Sequence, residues 1–189
     1  MCSPTETTVS PFPWRQLDPA VRDNMVWWIW AITYIGSVGA YLPAILPPFV
    51  EYMQWEGKWL EQIPDRQAWW DFTIYTSIVH AIFALAMFNW KVTPFPVQVR
   101  IAYFFWVLLG SYVPALEILM HITFVGNGAN LTTGYCPLAR LMSLLPWNHA
   151  EPFSMKFLVS TIFSPPGGKG KSDSAGFQAA ASAAKDKKA

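Results

Sequence analysis

Residues 72–90 read FTIYTSIVHAIFALAMFNW, an apolar run bounded by Asp71 and Lys91 with no formal charge inside it. At 1.5 Å of rise per residue, a helix of about 20 such residues crosses the hydrocarbon core of a bilayer. Residues 24–50 form a second uncharged run, with tryptophans at one end and prolines at the other. A third run, residues 101–125, is interrupted by glycine, proline and two ionisable side chains. These runs predict an all-α membrane protein with three transmembrane helices.

The composition of the whole chain agrees with a membrane location. Of its 189 residues, 53% are hydrophobic and 13% are charged, whereas about 25% are charged in an ordinary soluble domain. The net charge of +1 provides no basic surface for a nucleic acid. Two cysteines are too few for a disulfide framework or a thiolate metal cage. The expected partner is therefore a lipid bilayer, and neither nucleic acid nor a cofactor is predicted.

The composition changes along the chain and predicts four segments. These are a polar N-terminal segment (1–23), the three-span transmembrane domain (24–125), an interfacial region (126–163) and a disordered basic tail (164–189). The interfacial region contains an apolar run of only 11 residues, 153–163, which is too short to span. The tail is small, polar and of low complexity, so it cannot bury enough apolar surface to offset the entropy of ordering.

The last five residues, KDKKA, resemble the dilysine retrieval signal of endoplasmic-reticulum membrane proteins, with lysines third and fifth from the end. A receptor reads such a signal, and this type acts only on a cytosolic tail. The sequence therefore predicts a multi-pass protein of the endoplasmic-reticulum membrane with a cytosolic C-terminus. The alternative is a solvated lysine-rich end that matches by chance.

Three ionisable side chains lie inside the apolar runs, namely His80, Glu117 and His121. A charged group at bilayer depth costs about 2.5–3.5 kcal/mol on insertion scales, so each needs a partner or a purpose. Glu117 and His121 are four residues apart and are expected on one helix face. Hydroxyl-bearing neighbours are expected to complete a polar pocket with them, namely Thr73, Thr76, Ser77, Tyr103 and Tyr112. No HExxH pattern accompanies them, so no metal site is predicted.

Two functional hypotheses follow from these residues. In the first, the polar groups hydrogen-bond within and between helices, and the protein binds or scaffolds around the metabolism of lipids, sterols or terpenoids. Its partners are then an apolar small molecule and either membrane enzymes or a second copy of the chain. In the second, the protein is a membrane isomerase or cyclase, with Glu117 as the acid and His80 or His121 as the base.

Residues 72–119 carry a sequence resemblance. They contain a midspan His80 in a small-residue helix, the exit NWKVT at 89–93, Arg100, and an aromatic third span with Gly110. In these features the chain is similar to the small transmembrane protein 254 family. The resemblance covers roughly half the chain, and the long region after the third span departs from the family pattern. It implies a three-helix eukaryotic membrane protein without an established activity.

Overall fold

The computed structural model describes residues 19–53, 58–148 and 153–163. Within these ranges every regular element is helical, which confirms the all-α prediction. Residues 1–18, which make up most of the predicted N-terminal segment, lie outside the described residues. The predicted disordered tail, with its dilysine sequence, also lies outside them.

The helices are α1 (Pro19–Gly39), α2 (Leu42–Tyr52), α3 (Arg66–Met87), α4 (Phe95–Tyr112), α5 (Ile118–Thr133), α6 (Pro137–Ser143) and α7 (Met155–Phe163). Single 3₁₀ turns lie at Lys58–Gln62 and Pro114–Leu116. Helix α3 begins before its apolar run because the Asp65 carboxylate accepts a hydrogen bond from the Ala68 N–H at 2.8 Å and caps the helix.

Four of these helices pack side by side in the order α1, α3, α4 and α5, and α5 returns to contact α1. The contacts between α1 and α3 show an antiparallel pair. Trp30 contacts His80, whereas Gly36, farther along α1, contacts Thr73, which comes earlier in α3. Gly36 permits this approach because a Cβ at its position would collide with the Thr73 side chain.

The contacts of α4 follow the same antiparallel rule. Near the start of α4, Arg100 bonds His80 of α3, and at its end Tyr112 bonds Asp71, near the start of α3. Against α5, Tyr103 contacts Asn127, whereas Gly110, a later residue, lies against the earlier Met120.

Helix α5 closes the ring against α1. Trp27 donates to the Leu131 carbonyl at 3.2 Å, and Tyr41 at the far end of α1 contacts His121. The four helices therefore form an up-down-up-down bundle.

The predicted third span, residues 101–125, is not one helix. Helix α4 ends at Tyr112, and Val113 is extended (φ −106°, ψ 104°), as expected for a residue that precedes a proline. The 3₁₀ turn that begins at Pro114 then reverses the chain into α5. Helix α5 continues to Thr133, so the predicted segment boundary at residue 125 falls inside a helix.

The predicted first span, residues 24–50, is bent. Helices α1 and α2 meet at an angle of 60°, and the break comes at Ala40–Tyr41, just before the first proline. Pro43 occupies the first turn of α2, where its missing N–H costs no helical hydrogen bond. Pro47 and Pro48 lie inside α2 and do not end it.

A membrane crossing requires a helix of sufficient length and hydropathy. Among the described helices, α3 meets both requirements alone, and α1 from Asp23 meets them together with α2 as a bent pair. One or two membrane-spanning helices are therefore supported by length and composition, and three spans are not confirmed.

The bundle places polar side chains inside it and leaves large apolar side chains on its outer surface. Buried polar residues on its four helices include Thr33, Thr73, Ser77, His80, Thr123 and Asn127. Exposed apolar residues on the same helices include Trp28, Ile35, Ile82, Phe105, Leu109 and Val125. Contiguous exposed apolar surface is uncommon on a soluble monomer.

The predicted interfacial region contains α6 and α7, which pack against each other. Arg140 of α6 is buried and donates to the carbonyl oxygens of Thr161 and Ile162 at 2.8 and 3.1 Å. Its guanidinium also lies 4.1 Å from the centre of the Tyr135 ring. Because the last carbonyls of a helix lack helical donors, Arg140 stabilises the C-terminal end of α7.

Candidate functional site

His80 lies at the contact of three helices. Its side chain is 2% exposed, and the Trp30 ring of α1 packs edge-on against it with centroids 4.7 Å apart. From α4, the Arg100 Nε–H donates to His80 Nε2 at 2.9 Å. The other ring nitrogen, Nδ1, is buried and has no hydrogen-bond partner among the described residues.

Arg100 is held in place by its own helix. Its Nη1 donates to the Pro96 carbonyl at 2.7 Å, one turn earlier in α4. That contact leaves Nε directed at the imidazole, so the orientation of the guanidinium is fixed from both sides. Arg100 acts here as a positioning residue for His80.

A groove of about 350 Å³ runs between α1 and α3 on the outer surface of the bundle. Its lining is almost entirely apolar and includes Ile29 and Ile32 from α1 and Phe72, Tyr75, Val79 and Phe83 from α3. The lining residues that carry polar groups are Thr33, Tyr75, Thr76 and His80. The groove thus brings together two of the residues predicted from the sequence, His80 and Thr76.

The predicted Thr/Ser stripe bonds to its own helix. Thr73 donates to the Trp69 carbonyl at 3.0 Å, and Ser77 donates to the Ile74 carbonyl at 2.7 Å. Thr76 likewise donates to the Phe72 carbonyl at 3.0 Å. These hydroxyl protons are used within α3, so the stripe supplies small side chains for close helix packing and not bonds between helices.

Glu117 and His121 lie at the far end of the bundle from His80 and make separate contacts. Glu117 forms an ion pair with Arg66, at the first position of α3, and both side chains are nearly half exposed. His121 Nδ1 is hydrogen-bonded to the Tyr41 hydroxyl at the end of α1. No hydrogen bond joins Glu117 to His121 among the described contacts.

The distance along α3 separates these two groups. Arg66 precedes His80 by 14 residues, which corresponds to about 21 Å of helix axis. The structure therefore does not bring His80, Glu117 and His121 around one pocket. The antiparallel packing of α3 against α4 causes this separation, because it sets His80 beside Arg100, near the start of α4, whereas Glu117 and His121 follow the other end of α4.

The two predicted tyrosines occupy different levels of the bundle. Tyr103 is buried, packs edge-on against Trp30 at 5.0 Å, and accepts a hydrogen bond from Asn127 Nδ2 at 2.7 Å. Tyr112 is exposed and donates to the Asp71 carboxylate at 2.9 Å. Only Tyr103 lies near the His80 level, and it faces α5 and not the groove.

The sequence reasoning missed Arg100, Trp30 and Asn127. Arg100 directly precedes the predicted third run at 101–125, yet α4 begins five residues before Arg100 and places it inside a helix. Pro94 and Pro96 mark that earlier start, since proline is favoured at helix N-termini. Among the described residues, no group of histidine, cysteine, aspartate and glutamate side chains is arranged to hold a metal ion.

Comparison with protein-family models, curated proteins and solved structures finds no match to this chain. The resemblance to the transmembrane protein 254 family therefore remains an expectation from sequence.

Proposed function

We propose that this protein is a multi-pass membrane protein that binds an apolar small molecule in the groove between α1 and α3. The observation that carries the proposal is the groove itself, about 350 Å³ of apolar-lined space with a buried histidine in its wall. Ligand pockets of about 300–1,000 Å³ with an apolar lining and few polar groups are typical of small-molecule sites. The size suits a single lipid-like molecule.

The bilayer location is supported by the distribution of side chains over the bundle. Its outer surface is apolar along all four helices, while hydroxyl, imidazole and amide groups lie inside. In lipid, helices associate through small and polar residues, as Gly36 and Thr73 do here. The proposal places α1, α3, α4 and α5 together in the bilayer, which makes four crossings where the sequence predicted three.

A membrane of the endoplasmic reticulum, with the tail in the cytosol, is the location we propose from the dilysine sequence. In this reading the protein supplies a bound lipid, sterol or terpenoid to membrane enzymes or to a second copy of itself. The described contacts do not favour the acid–base alternative, because its proposed acid, Glu117, is paired with Arg66.

The proposal is tested by filling the groove. Val79 lines it and is 66% exposed, whereas Ile82, on the same helix and 50% exposed, is not one of its lining residues. The purified protein in phospholipid nanodiscs is titrated with a fluorescent isoprenoid or fatty-acid probe. We expect saturable binding that Val79→Trp abolishes and that Ile82→Trp leaves unchanged.

Two results would reject the proposal. One is the absence of saturable binding by the wild-type protein to either probe. The other is equal loss with Val79→Trp and Ile82→Trp, which would mean that the probe binds the general apolar surface.

A further inference from the structure

We infer that the bundle end at which α1 and α4 begin faces the cytosol, where its arginines and lysines contact the anionic headgroups of the cytosolic leaflet. This basic end also contains the last turns of α3 and α5 and the short helices α6 and α7. The inference rests on the four crossings of the proposed function and goes beyond it, because the groove between α1 and α3 requires neither orientation.

The four-helix fold divides the basic residues unequally between its two ends. The orientation of a membrane protein follows the arginines and lysines that lie within about 15–20 residues of the ends of its spans, and acidic residues contribute little. The basic end has five such residues, namely Arg15, Arg22, Lys91, Arg100 and Arg140. The opposite end has two, namely Lys58 and Arg66. The end with the excess is retained in the cytosol.

The chain reversal at Pro114 produces this excess. If residues 101–125 crossed the membrane as a single helix, Arg140 would follow on the side that holds Lys58 and Arg66. The basic residues near the spans would then divide four to three. In the structure α4 and α5 run in opposite directions, so Arg140 returns to the side on which α1 begins. The charges are nearly balanced in the three-span reading, and the fold makes them decisive.

The side chains exposed at the basic end fit a headgroup layer. Lys91 is exposed in the connection between α3 and α4, directly after Trp90, which is 67% exposed. Trp147 is 68% exposed, and its Nε1–H donates to Gln98 in the first turn of α4 at 3.0 Å. Tryptophan is enriched at membrane interfaces, and the anionic lipids of the cytosolic leaflet attract arginine and lysine close to the surface.

The backbone between α3 and α4 keeps the Trp90 side chain exposed in a disfavoured conformation. Asn89 and Trp90 have φ angles of 53° and 58°, which bulky residues rarely adopt. The Trp90 N–H donates to the Leu85 carbonyl at 2.7 Å and fixes the connection to the end of α3. Strained residues of this kind persist where their surroundings determine them. Insertion of the indole into the membrane interface would offset the strain.

Single cysteines in two connections report the orientation. Thr93→Cys lies at the basic end and Ala115→Cys at the opposite end, and both positions are exposed. The full-length chain, in a Cys2→Ser background, is expressed in sealed microsomes whose cytosolic surface is outward. A membrane-impermeant maleimide is added, and the parent chain with its buried Cys136 gives the background. We expect Thr93→Cys to react in intact vesicles and Ala115→Cys to react only after detergent opens them.

Two sets of charge variants test the cause of the orientation, each combined with Ala115→Cys. The first set leaves two basic residues near the spans at each end and consists of Arg15→Gln, Arg22→Gln and Lys91→Gln. We expect the two orientations to mix, so that part of Ala115→Cys reacts in intact vesicles. The control set removes three carboxylates from the opposite end and consists of Glu51→Gln, Glu56→Gln and Glu61→Gln. It is expected to keep Ala115→Cys protected, because acidic residues contribute little to orientation.

The outcomes separate this inference from the proposed function. If Ala115→Cys reacts in intact vesicles while Thr93→Cys is protected, the orientation is the reverse and the inference is overturned, although the four crossings stand. If both cysteines react from the same side, or neither reacts in opened vesicles, α4 does not cross between two exposed connections and the membrane arrangement of the proposed function fails. A single orientation in the first set, or mixing in the control set, would overturn the role of the basic residues.

Discussion

Replacing Gly36 by alanine tests the close approach of α1 to α3, on which the shape of the groove depends. A Cβ at this position would collide with the Thr73 hydroxyl and would lie 2.9 Å from Phe72 Cδ1 and 3.3 Å from Thr73 Cβ. The Thr73 hydroxyl can rotate, but its Cβ moves only with the backbone of α3. The two helices must therefore separate slightly.

The expected magnitude comes from a matched pair of variants. Overpacking a tightly packed contact costs about 1–3 kcal/mol, whereas Gly→Ala inside a helix gains about 0.8–1 kcal/mol. Gly126→Ala shares the gain without the collision, because its Cβ would lie 3.4 Å from Pro137 Cγ, an ordinary contact. The difference between the two variants removes the helix term and leaves about 1–3 kcal/mol.

The assay is thermal unfolding of both variants in one mild detergent. At about 2–4 °C per kcal/mol for a chain of this size, Gly36→Ala is expected to unfold several degrees below Gly126→Ala. Equal or higher thermal stability of Gly36→Ala would refute the close contact between α1 and α3, and with it the groove geometry.

Three further predictions follow from the contacts described above. Tyr103→Phe leaves the Asn127 amide buried without its partner and is expected to cost about 1–3 kcal/mol in unfolding measurements; an unchanged stability would contradict that hydrogen bond. Ala115 lies exposed in the turn between α4 and α5, so Ala115→Cys, in a Cys2→Ser background, is expected to react with a membrane-impermeant maleimide. A single third span would bury it in lipid and block that reaction. Glu117→Gln removes only a half-exposed ion pair, so it is expected to change the free energy of unfolding by less than about 1 kcal/mol. At matched protein level, the host's lipid and metabolite profile is expected to stay as in wild type. Accumulation of the precursor seen on gene deletion would favour the acid–base enzyme.

Several elements of the fold were predictable because they depend on local chemistry. The run at 72–90 forms a helix, as its apolar residues predict, and the prolines at 43–48 are associated with a bent first span. Glu117 is the N-cap of α5 and His121 lies inside that helix four residues later, so the two belong to one short stretch of chain. These features involve residues within a few turns of each other.

The arrangement of the candidate site was not predictable in the same way. A continuous helix over 101–125 would align Tyr103 with His121, and hydropathy alone favours that reading. The reversal at Pro114 instead pairs Tyr103 with Asn127 and His121 with Tyr41. One extended residue thus decides which polar groups become neighbours, and periodicity counted along the sequence cannot detect it.

The sequence by itself determined the helical class, the apolar surface and the presence of His80 within an apolar helix, because each depends on composition and on spacing inside one segment. Only the tertiary structure decided that Arg100 would bond His80 and that α1 and α3 would leave a groove beside it. Those contacts join residues 20 to 50 positions apart, and their geometry depends on how four helices pack.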